Sequence, residues 1–325
     1  MKKKFAIATD SGKYQTKSVY EINGSMRTKM TRTLMREGHS TANDDLNIEE
    51  RNVHQITYDG VDYTIGDETT ELVESNTSLD KNSELHLLTT LTNICYALKQ
   101  VKIYSDVEIS LAINIPASQY SDSEEKASIE KMYKKSFEMI FEGEKFEFSI
   151  VNVLVLFESA GIVVKYMNQL KEANTLIIDC GGLNVTYLGV ENGKMKLDTL
   201  HTNTCGANKL IDDLKAKVLS MTGREVPFAD IEKVVKGEKL IQGSKADKIN
   251  ELIKSELGKN VDTIIKDAKR SCDLDSYSVL FVGGSSSIYS NLVAEKLNKN
   301  VKLATDSVFD NVSGYYSLMK AKKLA

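Results

Sequence analysis

Proline is scarce in this chain, 2 among 325 residues, and glycine is moderate at 19, so long flexible linkers are not expected. No run approaches the roughly 18 consecutive apolar residues of a membrane-crossing helix. Cysteine and histidine are few, 4 of each. Cys95, Cys180, Cys205 and Cys272 are far apart and form no CxxC pair, so they read as reduced, mostly buried apolar residues. His39, His54, His86 and His201 show no ligand spacing with each other or with the cysteines, which argues against a structural metal. After Met1-Lys2-Lys3-Lys4 the apolar run covers only Phe5 to Ala8, too short for a signal peptide, and the chain is expected in the cytoplasm. A net charge of −4 argues against a wide nucleic-acid-gripping surface, which draws its affinity from Lys and Arg at phosphates. What remains, 41% apolar and 27% charged residues, is ordinary globular composition. The length exceeds the roughly 250–300 residues at which one core stops growing, so two lobes are expected.

A repeat runs through the turns. Lys4 to Ala8 reads as a strand, Asp10-Ser11-Gly12-Lys13 as a turn, Tyr14 to Ile22 as a second strand, and Asn23-Gly24 as a type I′ hairpin signal before a third strand near Met26 to Leu34. Thr175 to Ile178, Asp179-Cys180-Gly181-Gly182, Asn184 to Val190, Asn192-Gly193 and Lys194 to Leu200 repeat the pattern. Asp10 to Asn23 and Asp179 to Asn192 are both 13 positions apart. Two such units about half a chain apart predict a duplicated domain, a three-strand meander followed by helix, strand, helix and strand.

The other elements fit that plan. Helical periodicity runs from Asn82 to Gln100, a strand from Val107 to Ile115, a helix from Ser121 to about Ile140, and a buried strand from Ile150 to Phe157. In the second half, Gly206 to Met221 reads as helix and Ser278 to Val282 as buried strand. A helix from about Ser286 to Asn298, a short strand at Val301 to Ala304 and a helix from Asp310 to Lys323 follow. Insertions at about 35–79, containing a hairpin around Asp59-Gly60, and at about 222–275, mostly helical, are expected to form smaller subdomains. The lobes are expected at 1–157 and 158–325, with the terminal helix 310–323 packing back toward the first lobe.

The glycine turns carry the chemistry. Glycine allows close backbone approach, and N–H groups in such turns bind anionic oxygens. Each phosphate-type turn also holds an aspartate, Asp10 or Asp179. Carboxylates beside phosphate need a cation between them, and Mg2+ held largely through water suits the pair. A third turn, Gly283-Gly284-Ser285, follows a buried strand and opens a helix, which suits a nucleoside packed on backbone.

These residues, in order, resemble the actin-like ATPase superfamily of actin, bacterial actins, seventy-kilodalton heat-shock chaperones and sugar kinases. The resemblance is carried by Asp10-x-Gly12-x-x-x-x-Lys17, by Leu176-Ile177-Ile178-Asp179-Cys180-Gly181-Gly182-x-Asn184-Val185 and by Val279-Leu280-Phe281-Val282-Gly283-Gly284-Ser285. Two connecting segments add to it, Phe157-Glu158-Ser159-Ala160-Gly161 and Asn311-Val312-Ser313-Gly314-Tyr315-Tyr316. Within the superfamily the chain most resembles the plasmid-segregation actins, the ParM/StbA group, through Ile113 to Tyr120, Leu176 to Gly189 and Thr204 to Asn208. That group often has Pro-Glu-Ser where this chain has Phe157-Glu158-Ser159, with the acidic residue kept. The resemblance implies an α/β fold of duplicated ribonuclease-H-like domains, two lobes around an interlobe nucleotide cleft.

It also implies roles. Asp10 and Asp179 would hold Mg2+ through water, with Asp179 counted in the catalytic set. Gly12, Lys13, Tyr14, Gly181 and Gly182 would offer backbone N–H groups to phosphate, and Lys17 a charge. Asn184, Gly206 and Ala207 would line the nucleotide, Gly283, Gly284 and Ser285 the adenosine, and Glu158 would orient the attacking water. Lys233 and Lys236 are weaker candidates for base or ribose. The expected function is a filament-forming bacterial actin that hydrolyses ATP or GTP and segregates plasmid DNA. Its expected partners are itself and a centromere-binding adaptor, without direct nucleic-acid or membrane contact. The alternative is a small-molecule kinase or phosphatase of the same superfamily.

Overall fold

Short strands joined by two-residue turns open the chain. The fold, a computed structural model, describes residues 2–38, 52–66, 81–120, 122–223, 225–235, 237, 245–297, 301–304 and 308–325. Much of the first insertion, and Lys236 and 238–244 in the second, lie outside these residues. The chain separates into two units, Met1–Lys165 with Asn311–Ala325, and Tyr166–Asp310.

In the first unit, β1 (Lys3–Ser11), β2 (Gln15–Ile22) and β3 (Ser25–Arg32) form an antiparallel meander. Asn23 and Gly24 take φ of 50° and 77°, the double positive that a type I′ turn requires. β4 (Met35–Glu37) and the hairpin β5 (Val53–Tyr58) to β6 (Val61–Gly66) precede α1 (Glu84–Gln100) and β7 (Val107–Ile115). Asp122 caps α2 (Ser123–Tyr133) by accepting the Glu124 N–H at 2.8 Å. β8 (Ser136–Phe141), β9 (Glu144–Phe157) and α3 (Ala160–Lys165) follow.

One expectation changes here. The helix read to Ile140 stops at Tyr133, and 136–141 are strand. Phe137, Met139 and Phe141 are buried while Ser136, Glu138 and Ile140 are exposed, a period of two that wins over helix. Glu142 and Gly143, with φ of 50° and 78°, make a further tight turn that lacks the usual Asn-Gly or Asp-Gly signal. β5 pairs with β8, so β4, β5 and β6 extend one sheet in the order β3-β2-β1-β7-β9-β8-β5-β6-β4. α1 covers this sheet with a fully buried stripe, Leu88, Leu91, Ile94 and Leu98.

The second unit begins with α4 (Met167–Leu170). It continues through β10 (Thr175–Cys180), β11 (Val185–Glu191), β12 (Lys194–Asn203), α5 (Ala207–Thr222), α6 (Phe228–Val235) and α7 (Ala246–Ser271). β13 (Ser278–Val282), α8 (Ser286–Leu297) and β14 (Val301–Leu303) complete it before α9 (Asp310–Ala321). Its sheet runs β12-β11-β10-β13-β14, the order of β3-β2-β1-β7-β9 in the first unit. Ile231 of α6 and Ile253, Val261 and Ile264 of α7 are buried in one cluster with Leu210 and Leu214 of α5 and Phe281 of β13.

The duplication holds at residue register. Asp10 pairs with Lys17 and Ser11 with Thr16 across β1 and β2, while Asp179 pairs with Thr186 and Cys180 with Val185 across β10 and β11. Each aspartate is thus the penultimate residue of a strand flanked by one antiparallel and one parallel neighbour. Both aspartates belong to strands rather than to the turns that follow. No helix among the described residues is long and apolar enough to cross a membrane.

Candidate functional site

In the first unit the site is built on the ends of parallel strands β1, β7 and β9. The Asn114 amide, at the end of β7, donates to Asp10 Oδ1 at 2.7 Å, and its Oδ1 accepts the Ser11 N–H at 2.9 Å. Asn311, at the start of α9, donates to Asp10 Oδ2 at 3.3 Å and to the Tyr315 hydroxyl at 2.7 Å, and accepts the Gly161 N–H at 3.0 Å. Two amides therefore orient one carboxylate. Lys17 sits opposite Asp10 in the pairing, on the same face of the sheet.

The turn itself is tight. The Gly12 N–H donates to the Asp10 carbonyl at 3.0 Å, so this donor is engaged inside the turn, not offered to phosphate as the sequence suggests. A Cβ on Gly12 would lie 2.6 Å from the Gln15 carbonyl oxygen, and that approach is what demands glycine. Thr33 ties the turn down, its hydroxyl donating to Gly12 O at 2.7 Å and its N–H to Tyr14 O at 3.1 Å. The Arg32 guanidinium lies 3.4 Å from the Tyr14 ring centroid. Lys13 belongs to the same turn, and its charge is felt by buried His86 on α1. Burial first, then Lys13 and Lys81, push the His86 pKa down to about 2.

Glu158 follows β9. Its N–H donates to Ile115 O at 3.0 Å, and its carboxylate Oε1 lies 2.9 Å from the Lys81 ammonium. The next residue, Ser159, is fully buried with φ of 71°, a left-handed backbone that is costly for serine. Helix α3 starts after it, so Glu158 stands before the helix and not in its first turn. Gly161 and Gly314 let α3 and α9 cross closely. A Cβ on Gly314 would fall 1.9 Å from Gly161 O, and one on Gly161 1.8 Å from Asn311 O.

In the second unit the loop after β10 is zipped to the start of α5. Gly206, Ala207 and Asn208 donate to the carbonyls of Leu183, Gly181 and Gly182 at 3.0, 3.2 and 2.7 Å. The Gly181 N–H donates to Asn184 O at 2.8 Å, so Gly181, Gly206 and Ala207 use their N–H groups within the protein. A Cβ on Gly206 would lie 2.3 Å from Gly182 O, and one on Gly182 2.9 Å from the Asn208 side chain. Asn184 Oδ1 is buried and, among the described residues, accepts no hydrogen bond. Gly283, with φ of 89°, packs against Asp179: its Cβ would meet Asp179 Oδ1 at 2.4 Å. Ser285 N–H donates to Cys180 O at 3.0 Å, and Gly284 is exposed. Cys180 and Asp179 are neighbours, and burial, then the Asp179 charge, push the Cys180 thiol pKa well up. Lys233 is exposed on α6, and Lys236 lies outside the described residues.

Lys81, Asn114 and His86 escape sequence reading as site residues, and Asn311 is read only as part of a motif. Asn114 alone has a local signal, a polar residue inside the apolar run Leu111 to Ile115. The described residues hold no cluster of three or more His, Cys, Asp or Glu side chains able to cage a metal. The Asp10 carboxylate, oriented by the Asn114 and Asn311 amides, fits a cation that keeps most of its water, as Mg2+ does.

Comparison with known proteins agrees with this architecture. Residues 8–161 match the family described as actin like proteins N terminal domain. No curated protein matches the chain. An archaeal actin homolog in complex with ADP shares the fold at a TM-score of 0.75 and 16% identity, over 98% of this chain and 99% of that one. A subunit of a 15-stranded ParM filament from Clostridium botulinum does so at 0.77 and 18%, over 98% and 99%. Bacillus thuringiensis ParM with ATP does so at 0.71 and 16%, over 100% of both. The resemblance read from the motifs is borne out: the chain has the two-lobed actin-like α/β fold, shared with ParM proteins.

Proposed function

We propose that this chain, with its actin-like fold, is a nucleoside-triphosphatase that assembles into filaments and segregates plasmid DNA through a DNA-bound adaptor. The observation that carries the reading is the doubled hairpin. Two units place an aspartate at the same register of the same central strand, each followed by a glycine-containing turn, and at Gly12 a Cβ would lie 2.6 Å from the Gln15 carbonyl oxygen. The solved structures of similar fold include one with ADP, one with ATP and one filament, which supports nucleotide binding and self-association here.

In this reading Asp10 and Asp179 would hold Mg2+ through water, and the ion would neutralise charge on the phosphates. Asn114 and Asn311 keep the Asp10 carboxylate oriented, and Gly283 fixes the room left to Asp179. Lys17 contributes a point charge to phosphate. Glu158 accepts a hydrogen bond from the attacking water and holds it in line. Hydrolysis then needs little covalent work from the protein, since positioning and charge carry it. The net charge of −4 favours an adaptor over direct DNA contact.

The test is light scattering with Mg2+ and ATP, GTP or no nucleotide, followed by electron microscopy and phosphate release. Filaments above a critical concentration with one triphosphate, and none without it, are expected. Monodisperse protein that transfers phosphate to a sugar would replace this reading with the kinase one.

A further inference from the structure

We propose that Lys81 is a positioning residue for Glu158, and through it for the water that attacks the terminal phosphate. The inference rests on the reading of Glu158 as the water-placing residue. Lys81 lies just before α1, outside every recognised motif, yet its side chain is only 2% exposed. Its ammonium lies 2.9 Å from Glu158 Oε1 and, among the described residues, makes no hydrogen bond. The contact is an ion pair in distance without the direction of a hydrogen bond. A buried ammonium is strongly unfavourable unless paired, and Glu158 supplies that pairing.

The backbone around Glu158 is pinned independently. Its N–H donates to Ile115 O at 3.0 Å, the Tyr315 hydroxyl donates to Phe157 O at 3.0 Å, and the Gly161 N–H donates to Asn311 Oδ1 at 3.0 Å. Ser159 is held left-handed beside it. With the chain fixed, what is left to set is the carboxylate, and Lys81 sets it by anchoring Oε1. Oε2 is then the acceptor for water, on a side chain 20% exposed. His86, kept neutral by burial and by the same lysine, adds no cation that competes for the carboxylate.

The experiment measures phosphate release at saturating Mg2+ and triphosphate, with nucleotide affinity by calorimetry, for Lys81→Met, Lys81→Arg, Glu158→Ala and the double variant Lys81→Met with Glu158→Ala. Lys81→Met should lower kcat about 100-fold, as loss of the positioned carboxylate does. Nucleotide affinity should stay within about twofold, the split expected of a group that acts only in the chemical step. Lys81→Arg should recover most of the rate, and the double variant should be no slower than Glu158→Ala alone. Wild-type turnover in Lys81→Met beside a slow Glu158→Ala overturns the proposal and leaves the role of Glu158 standing. A double variant slower than Glu158→Ala also overturns it, because Lys81 then acts elsewhere. Wild-type turnover in Glu158→Ala overturns the proposal together with the reading beneath it. Should Lys81→Met fail to fold, Lys81→Gln takes its place, and wild-type turnover there beside a slow Glu158→Ala overturns the proposal.

Discussion

Gly283 shows how one missing Cβ shapes the site. Its φ of 89° is unfavourable for any side chain, and the space a Cβ needs is taken by Asp179 Oδ1 at 2.4 Å. Gly24 has a similar φ of 77° but nothing within 4 Å. Alanine at either position should cost about 1–3 kcal/mol for the strained backbone, read from urea denaturation. Only Gly283→Ala should also displace Asp179 and weaken Mg2+-dependent nucleotide binding. Calorimetry in which Gly283→Ala binds as well as Gly24→Ala would show that the Gly283–Asp179 contact does not matter to the site.

At the scale of elements, α1 does more than cover a sheet. Asn93 on it donates to Ser18 Oγ at 3.0 Å and accepts from the Thr31 hydroxyl at 2.7 Å, which ties the helix to β2 and β3. His86, in the first turn of the helix, is fully buried and bonded to Ser83 Oγ at 3.0 Å. Its folded pKa of about 2 lies below the ordinary 6.5, so below pH 6.5 the unfolded chain binds a proton that the folded chain refuses. Stability from this group is therefore complete above pH 6.5 and falls as pH drops from 6.5 toward 2. Between pH 7.5 and 5.5 the loss should be about 1.4 kcal/mol for this residue. His54, whose pKa burial also lowers, acts in the same direction. Denaturation of wild type and His86→Gln at both pH values checks it: the variant should lose less on acidification. An identical pH slope in the two proteins would mean that His86 titrates alike folded and unfolded.

At the scale of the whole molecule, hydrolysis is expected to limit filament lifetime. Glu158→Ala should still bind triphosphate and assemble, because ground-state contacts lie elsewhere. Phosphate release should fall about 100-fold, and filaments should persist. Light scattering and phosphate release recorded on one sample test this. Normal turnover with normal assembly would reduce Glu158 to a charge partner for Lys81.

Local chemistry was enough to announce the doubled meander. Asn23-Gly24, Asp59-Gly60 and Asn192-Gly193 all adopt paired positive φ, because that geometry is written in the turn residues themselves. The order of buried strands followed from apolar runs of strand length, and the α/β fold from the resemblance that the ordered motifs carry. The hairpin of β8 and β9 was not legible, since Glu142-Gly143 carries a weaker turn signal and the acidic start of α2 drew the helix onward. Nor did sequence show that the inserted strands would join the main sheet, because pairing of β5 with β8 depends on partners some 80 residues apart, Ile56 with Phe141. The candidate site divides the same way. Its glycines and aspartates are visible because backbone approach restricts residue type at one position. Lys81, Asn114 and Asn311 became site residues only when β7, β9 and α9 brought them to Glu158 and Asp10, since a buried charge or amide is defined by its partner and the partner is distant in the chain.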